Sequence, residues 1–487
     1  MMRVIRWVLR AGAILAAVVF TLMLVRAFDA RRQPDLEVWH TVELESEYRA
    51  GRAGEVTTWA DYLALEEELF EELGAKVIRA TENSSGDLFN RYNPSSPSYP
   101  DRAGRNWNRS FELPVDEPRG VAVLVHGLTD APYSLREIAE ILQADGIHVI
   151  SARMPGHGTV PASLLSVDWA DWLEVVHLAS ERAWEVAGAD TPVFFFGYSN
   201  GGALVLKATL DRLASGAELP DGLVLFSPAV GITRFAALAS WHRLLASIPY
   251  FEKFRWAEIY PEFDPYKYNS FPKIAGHQTF DLSLNVQKQM KELDEAGRLD
   301  DMPPVLTFQS LVDSTVLTAS TVHDLYERLP ANGSELVLYD VNRFESIQAL
   351  MRREHRVLLE SLIREGRPYA LTLVTNVAAG TTRAAARRWG PGGAPLGTDD
   401  LGAAWPSGVY SLSHLAFPFS PQDPVYGVRM NQNLSEIVAL GAIQPRGERG
   451  VLRVPVELFM RLHYNPFFDH LRGRVLEEVR RQRPDGT

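Results

Sequence analysis

Val193-Phe-Phe-Phe-Gly-Tyr-Ser-Asn-Gly-Gly202 is the stretch whose reading decides the fold. Its first four residues form a short, wholly apolar run, which predicts a strand buried on both faces of a parallel sheet. The run breaks into Gly197-Tyr-Ser-Asn-Gly201, a G-x-S-x-G pattern, and then into Ala203-Leu-Val-Leu-Lys-Ala-Thr-Leu210, which suits a helix. A strand, a sharp turn with serine at its apex and a helix are the setting in which this pattern holds an exposed nucleophile. The glycines flank the serine because side chains there would collide with the strand or the helix. Ser199 is therefore the expected nucleophile, and the remaining chain has to supply a base, an acid and an oxyanion site.

The 487 residues exceed what one core usually fills, so a catalytic domain of roughly 300 residues with additions is expected. A net charge of −12 argues against a general nucleic-acid binder, whose footprint is basic. The absence of cysteine excludes disulfides, thiolate metal sites and a cysteine nucleophile. Neither a G-x-x-x-x-G-K-[ST] nor an H-E-x-x-H pattern occurs, and the reading calls for no cofactor and no metal.

Residues 1–28 read as a membrane anchor or signal segment. Their uncharged run, 11–25, covers about 22 Å as a helix, and residues 7–9 bring it close to the ~30 Å of a hydrocarbon core. No clean A-x-A site follows, which favours an uncleaved anchor with the globular part outside the cytoplasm. Residues 29–110 form an extension. Thr58 and Asp61 predict a helix cap for 59–77, whose acidic residues Glu66, Glu67, Glu68, Glu71 and Glu72 read as a solvated face. Residues 81–105, rich in Ser, Asn and Pro, read as a surface loop.

From residue 111 strands alternate with helices: strands at 121–125, 147–150, 193–196 and 223–226, helices at 135–142, 169–186 and after Ser199. This order implies a parallel sheet with helices on both faces, an α/β fold with its functional loops at the carboxyl ends of the strands. The first part of the core thus spans 111–230. Residues 231–303 lose the alternation, read as helical and are unusually aromatic, which predicts a cap over the site. The second part of the core, 304–487, holds strands at 305–308 and 335–341 and an insertion at about 342–408. Within it the stretch from 375 to 406 reads as a flexible loop.

His126-Gly-Leu-Thr-Asp130, Pro155-Gly-His-Gly158 with Asp168-Trp-Ala-Asp-Trp172, Gly197-x-Ser199-x-Gly201 and Val312-Asp-Ser-Thr-Val316 follow in order at strand ends. In these the chain resembles the α/β-hydrolase superfamily, in its carboxylesterase and monoacylglycerol-lipase-like branch, over residues 111–341. The resemblance implies a serine esterase or lipase acting through a Ser-His-Asp triad and an acyl-enzyme on small-molecule or lipid-like esters. Acyl transfer, thioester cleavage or an idle scaffold that binds a partner are the competing readings. By the same resemblance the backbone N–H groups of Leu128 and Asn200 form the oxyanion hole, and Asp313 is the acid. The base then has to follow Asp313 in sequence. Of His323, His355, His414, His463 and His470, His414 lies in a loop of small and apolar residues stiffened by Pro418. It is taken as the base, although Asp313 and His414 are 101 positions apart. His126 and His157 read as structural.

Overall fold

The computed structural model describes residues 33–481 except 53, 82–87, 233–248, 345–352, 365, 429–436, 442 and 444–451, with a few isolated positions before residue 33. The expected anchor falls almost wholly outside these residues. Among the described residues, no helix is long and apolar enough to cross a membrane.

The strands are β1 Phe111–Leu113, β2 Gly120–Val125, β3 Ile147–Ala152, β4 Val193–Tyr198, β5 Gly222–Phe226, β6 Trp256–Glu258, β7 Phe271–Pro272, β8 Val305–Ser310, β9 Glu335–Tyr339, β10 Ala370–Asn376, β11 Arg383–Trp389 and β12 Pro395–Ala404. All but β6 and β7 join one sheet of ten strands, in the order β1-β3-β2-β4-β5-β8-β9-β10-β11-β12. From β3 to β10 every neighbouring pair is parallel, and antiparallel strands close both ends. The central strands β2, β3, β4, β5, β8 and β9 are buried at every position, which matches the largely apolar sequences of β2, β4 and β5.

Seven helices matter here: α1 Trp59–Leu73, α2 Arg136–Ala144, α3 Trp169–Ala187, α4 Asn200–Ser215, α5 Lys273–Glu295, α6 Arg353–Arg364 and α7 Phe468–Arg481. One core joins α1, α3, α4, α5 and α6 to one face of the sheet, through residues such as Trp172, Leu204 and Val286. A second core puts α2 and α7 on the other face, through Ile138, Leu142, Leu471 and Val475.

Two expectations for the later part of the chain change. Residues 231–303 are not a helical cap throughout: α5 packs into the core beneath the sheet, and the described covering part is the β6–β7 hairpin with its connection. Aromatic content suggested a lid, but Leu282, Val286 and Met290 give α5 an apolar stripe that buries against α4. The stretch 375–406 is not a flexible loop but holds β11 and β12. Ala384, Ala385 and Ala386 are small residues of low strand propensity, and pairing onto buried β10 overrides that preference. Cross-strand pairs Arg383–Asp400 and Arg388–Asp399 complete the hairpin.

The extension is built into the core. Thr58 and Asp61 cap α1 reciprocally, as its sequence predicts. Glu66, however, leaves the solvated face: it is buried and meets Arg153 Nε at 2.9 Å, while Glu47 meets Arg153 Nη2 at 3.1 Å. The described part of residues 81–105, expected on the surface, is partly buried as well, with the Tyr92 hydroxyl donating to Thr159 O at 3.0 Å. A buried guanidinium demands carboxylates, and the extension supplies both.

Candidate active site

The carboxyl ends of β2, β4, β5 and β8 bring the expected residues to one place. Ser199 follows β4 with φ 52 and ψ −113, a left-handed conformation costly for any residue but glycine. Hydrogen bonds hold it there: its N–H donates to Phe226 O at 2.9 Å, and its carbonyl accepts from Ala229 at 2.9 Å and Gly202 at 3.0 Å. The glycines are required by close approach. A Cβ on Gly201 would stand 2.1 Å from Val125 O, and one on Gly197 2.5 Å from Gly202 Cα.

Leu128 follows β2 and lines the same cavity as Ser199, and Asn200 is the first residue of α4. The loop carrying Leu128 contains a second strained residue, Thr129 at φ 66. It is pinned by His126, whose Nε2 accepts from Met154 N–H at 3.0 Å, so Nδ1 carries the proton and donates to Gly127 O at 2.9 Å. Burial, with His157 nearby, keeps His126 neutral by pushing its pKa well down. His157 is likewise pushed down to about 4 by burial and donates from Nδ1 to Pro155 O. Both are structural by these contacts. So is the Asp168–Trp172 motif: Asp168 caps α3, and Asp171 accepts from Ala50 N–H at 2.6 Å.

Asp313 lies in the turn after β8, where its Oδ1 accepts from the N–H groups of Thr315 and Val316 at 2.9 and 3.0 Å. Burial pushes its carboxyl up to about 6, against these donors, Arg461 and Ser227. His414 begins a single turn, His414–Ala416, and its Nδ1 faces Asp313 Oδ1 at 3.7 Å. That separation is longer than a hydrogen bond. Burial, with Lys267 and Arg461 nearby, pushes His414 down to about 3, so the ring is neutral. Ser199, Leu128 and His414 line one cavity of about 580 Å³. Among the described residues the Ser199 hydroxyl forms no hydrogen bond. Catalytic hydrogen bonds are often long in unliganded sites.

The detour to His414 closes in space. After β9, Asn342 N–H donates to Tyr410 O at 2.7 Å and its side chain to Val409 O at 2.9 Å. The hairpin β11–β12 thus leads the chain out and back to the end of β9.

Sequence reasoning missed that residues 415–463 also wall the cavity, through Phe419, Tyr426, Leu440, Phe459, Arg461 and His463. His463 in particular reaches the site that its Asn-Pro neighbourhood gave no reason to expect. Of the aromatics expected in a cap, Phe263, Tyr268 and Phe271 line the cavity, whereas Trp256 and Tyr266 pack the hairpin down.

The family described as "Serine aminopeptidase, S33" matches residues 116–345, a stretch that contains Leu128, Ser199 and Asp313 and ends before His414. Over that stretch the core resembles the α/β-hydrolases. Over 122 residues the chain is 34% identical to a thermostable monoacylglycerol lipase from Bacillus sp. (strain H-257), covering 25% of this chain and 44% of the lipase. It is 25% identical over 119 residues to phospholipase YtpA from Bacillus subtilis (strain 168), covering 24% of this chain and 44% of that one. The chain spans less than half the length of these curated relatives. A solved monoacylglycerol lipase from Paleococcus ferrophilus covers 52% of this chain with 98% of its own, at 21% identity and a TM-score of 0.35.

Proposed function

We propose that this α/β-hydrolase cleaves carboxylic esters with a substantial apolar part, through an acyl-enzyme on Ser199. The observation that carries the reading is the strained Ser199 turn opening into the same cavity as His414, whose Nδ1 faces Asp313.

A free serine hydroxyl is a weak nucleophile and needs a base. His414 takes the Ser199 proton on Nε2, the ring nitrogen opposite the one facing Asp313, as Oγ bonds to the carbonyl carbon. Asp313 holds the ring orientation and stabilises the imidazolium. The N–H groups of Leu128 and Asn200 bind the oxyanion, each lowering the barrier by about 2.7–4 kcal/mol. The C–O bond to the alcohol then breaks, His414 returns the proton to the leaving oxygen, and water repeats the cycle on the acyl-enzyme. Phe263, Phe271, Phe419 and Phe459 offer an apolar wall to the chain of a lipid-like ester. The lipase and phospholipase among the relatives support that choice of substrate.

We further infer an extracytoplasmic catalytic core, tethered by residues 1–28. Carbonate extraction that frees the intact chain from membranes would remove this part of the reading.

The test of the reaction is labelling by a fluorophosphonate, compared between the native chain and Ser199→Ala, together with turnover of monoacylglycerols. Labelling and turnover that vanish in the variant are expected. Equal labelling of both chains would sink the proposal.

A further inference from the structure

The cavity carries charges that ester cleavage does not use. Besides the histidines its wall holds the acids Asp130, Glu258 and Asp264 and the bases Lys267, Lys273 and Arg461. Most are answered locally. Lys267 Nζ stands 3.3 Å from Asp130 Oδ1, and Lys273 Nζ donates to Phe254 O at 2.9 Å. Asp264 Oδ1 accepts from the Tyr426 hydroxyl at 2.7 Å and from the N–H groups of Tyr266 and Lys267 at 2.9 and 3.0 Å. Glu258 is pushed up by burial, against the pull of Arg461.

Arg461 is different. Among the described residues no carboxylate pairs with it, and its guanidinium makes no hydrogen bond. It is nevertheless close enough to Glu258, Asp313, His414 and His463 to bias the ionisation of each. His463 beside it is also without a hydrogen bond among the described residues, its ring lying against Tyr426 at 6.3 Å between centroids. The segment is held in place: the Ser413 hydroxyl donates to Leu462 O at 3.0 Å and Asn465 N–H to Phe419 O at 2.8 Å. A chain of net charge −12 thus presents at this cavity a cation that is in no ion pair among the described residues, with two more nitrogen-bearing side chains lining the same wall. A guanidinium offers paired N–H donors that match the oxygens of a carboxylate or phosphate.

We propose that Arg461, with His463 and Lys267 beside it, forms a subsite for a negatively charged group, a carboxylate or phosphate, carried by the ester substrate. The inference rests on the ester-hydrolysis reading and narrows its substrate class to esters with one apolar and one anionic end. Asp130 keeps Lys267 from dominating the subsite, so Arg461 is its principal cation.

Two pairs of esters test it and tell the sources apart. 1-Oleoylglycerol against 1-oleoylglycerol 3-phosphate varies charge on the alcohol side, and 4-nitrophenyl valerate against mono-4-nitrophenyl glutarate varies it on the acyl side. In one pair the charged member should be preferred in kcat/KM by about tenfold or more at low salt. Arg461→Gln should lower that preference about tenfold, equivalent to about 1.4 kcal/mol, and Arg461→Lys should restore part of it. No preference in either pair, or a preference that Arg461→Gln leaves untouched, overturns the proposal. Equilibrium binding of 1-O-hexadecylglycerol 3-phosphate against 1-O-hexadecylglycerol reads the same subsite without turnover. Tighter binding of the phosphate that depends on Arg461, with no ester cleaved, would retain the subsite and refute the hydrolysis reading alone.

Discussion

The half of the site proposed to carry the nucleophile and the half proposed to carry the base are built on different principles. Ser199 and Leu128 hang from β4 and β2, adjacent parallel strands in fixed register, and backbone contacts tighter than any side chain allows lock the turn between them. His414 instead arrives on a single turn, held through side-chain hydrogen bonds from Asn342 and Ser413 and facing Asp313 at 3.7 Å. The first half is dictated by the sheet. The second depends on a hairpin returning to the right place, so it has more freedom to shift when substrate binds.

If both halves act as one unit, removing either reacting group should cost nearly the whole rate. Ser199→Ala and His414→Ala are each expected to lower kcat about 10⁶-fold, with circular dichroism unchanged. A His414→Ala chain with kcat within about tenfold of native would assign the base elsewhere. Asp313→Asn should cost about 10⁴-fold, because the orienting charge is lost while the ring can still reach Ser199. The ionised carboxylate is the working form, and burial has raised it to about 6, so kcat/KM should rise with pH through that region and fall below it. Stability runs the opposite way. A carboxyl raised from 3.8 to about 6 on folding contributes stability that is fully present below 3.8 and lost as pH rises through about 6. Asp313→Asn should therefore melt higher than the native chain near about pH 8 and show little difference near about pH 3.5, readable by calorimetry. A higher melting point at both would point to another cause.

The sheet-locked half can be broken through its glycines. A Cβ at Gly201 meets Val125 O and His126 O at 2.1 and 2.5 Å, backbone atoms that cannot swing aside. Gly201→Ala should lose about 1–3 kcal/mol by denaturant unfolding, the usual cost of overpacking. Gly473, in α7, meets nothing within 4 Å, so Gly473→Ala should gain roughly 0.5–1 kcal/mol from helix propensity. Similar behaviour of the two variants would remove the argument from close approach.

The same division decided what could be read from sequence. Val193–Tyr198, Ser199 and α4 were legible because burial on both faces demands an apolar run and the turn demands glycine at named positions. Asp313 was singled out by a resemblance that puts the acid after a strand, and it lies in the turn after β8. The hairpin β11–β12 was not legible, since Arg383-Ala-Ala-Ala-Arg-Arg-Trp389 carries no strand pattern of its own and depends on β10 for pairing. Glu66 was misread for a related reason: five glutamates on one helix look alike until Arg153, far away in sequence, selects one. His414 was chosen from the character of its loop, and the geometry brings it to Asp313; nothing local marked His463.

The two histidines give the finest discrimination. Both line the cavity, and burial first, then Lys267 and Arg461, pushes His414 to about 3 and His463 to about 4, so their protonation does not separate them. Position relative to the acid does. His414 Nδ1 faces Asp313, which leaves Nε2 free to serve Ser199, whereas the ring of His463 lies against Tyr426 with no carboxylate among the described residues to orient it. An unoriented imidazole is a poor general base but an adequate donor to a bound anion. His463→Ala should accordingly lower kcat/KM by about tenfold, mainly through KM, where His414→Ala acts through kcat. A fall in kcat as large as that of His414→Ala would mean that the two rings share the base role, and the contrast between a sheet-locked nucleophile and a single side-chain-held base would have to be redrawn.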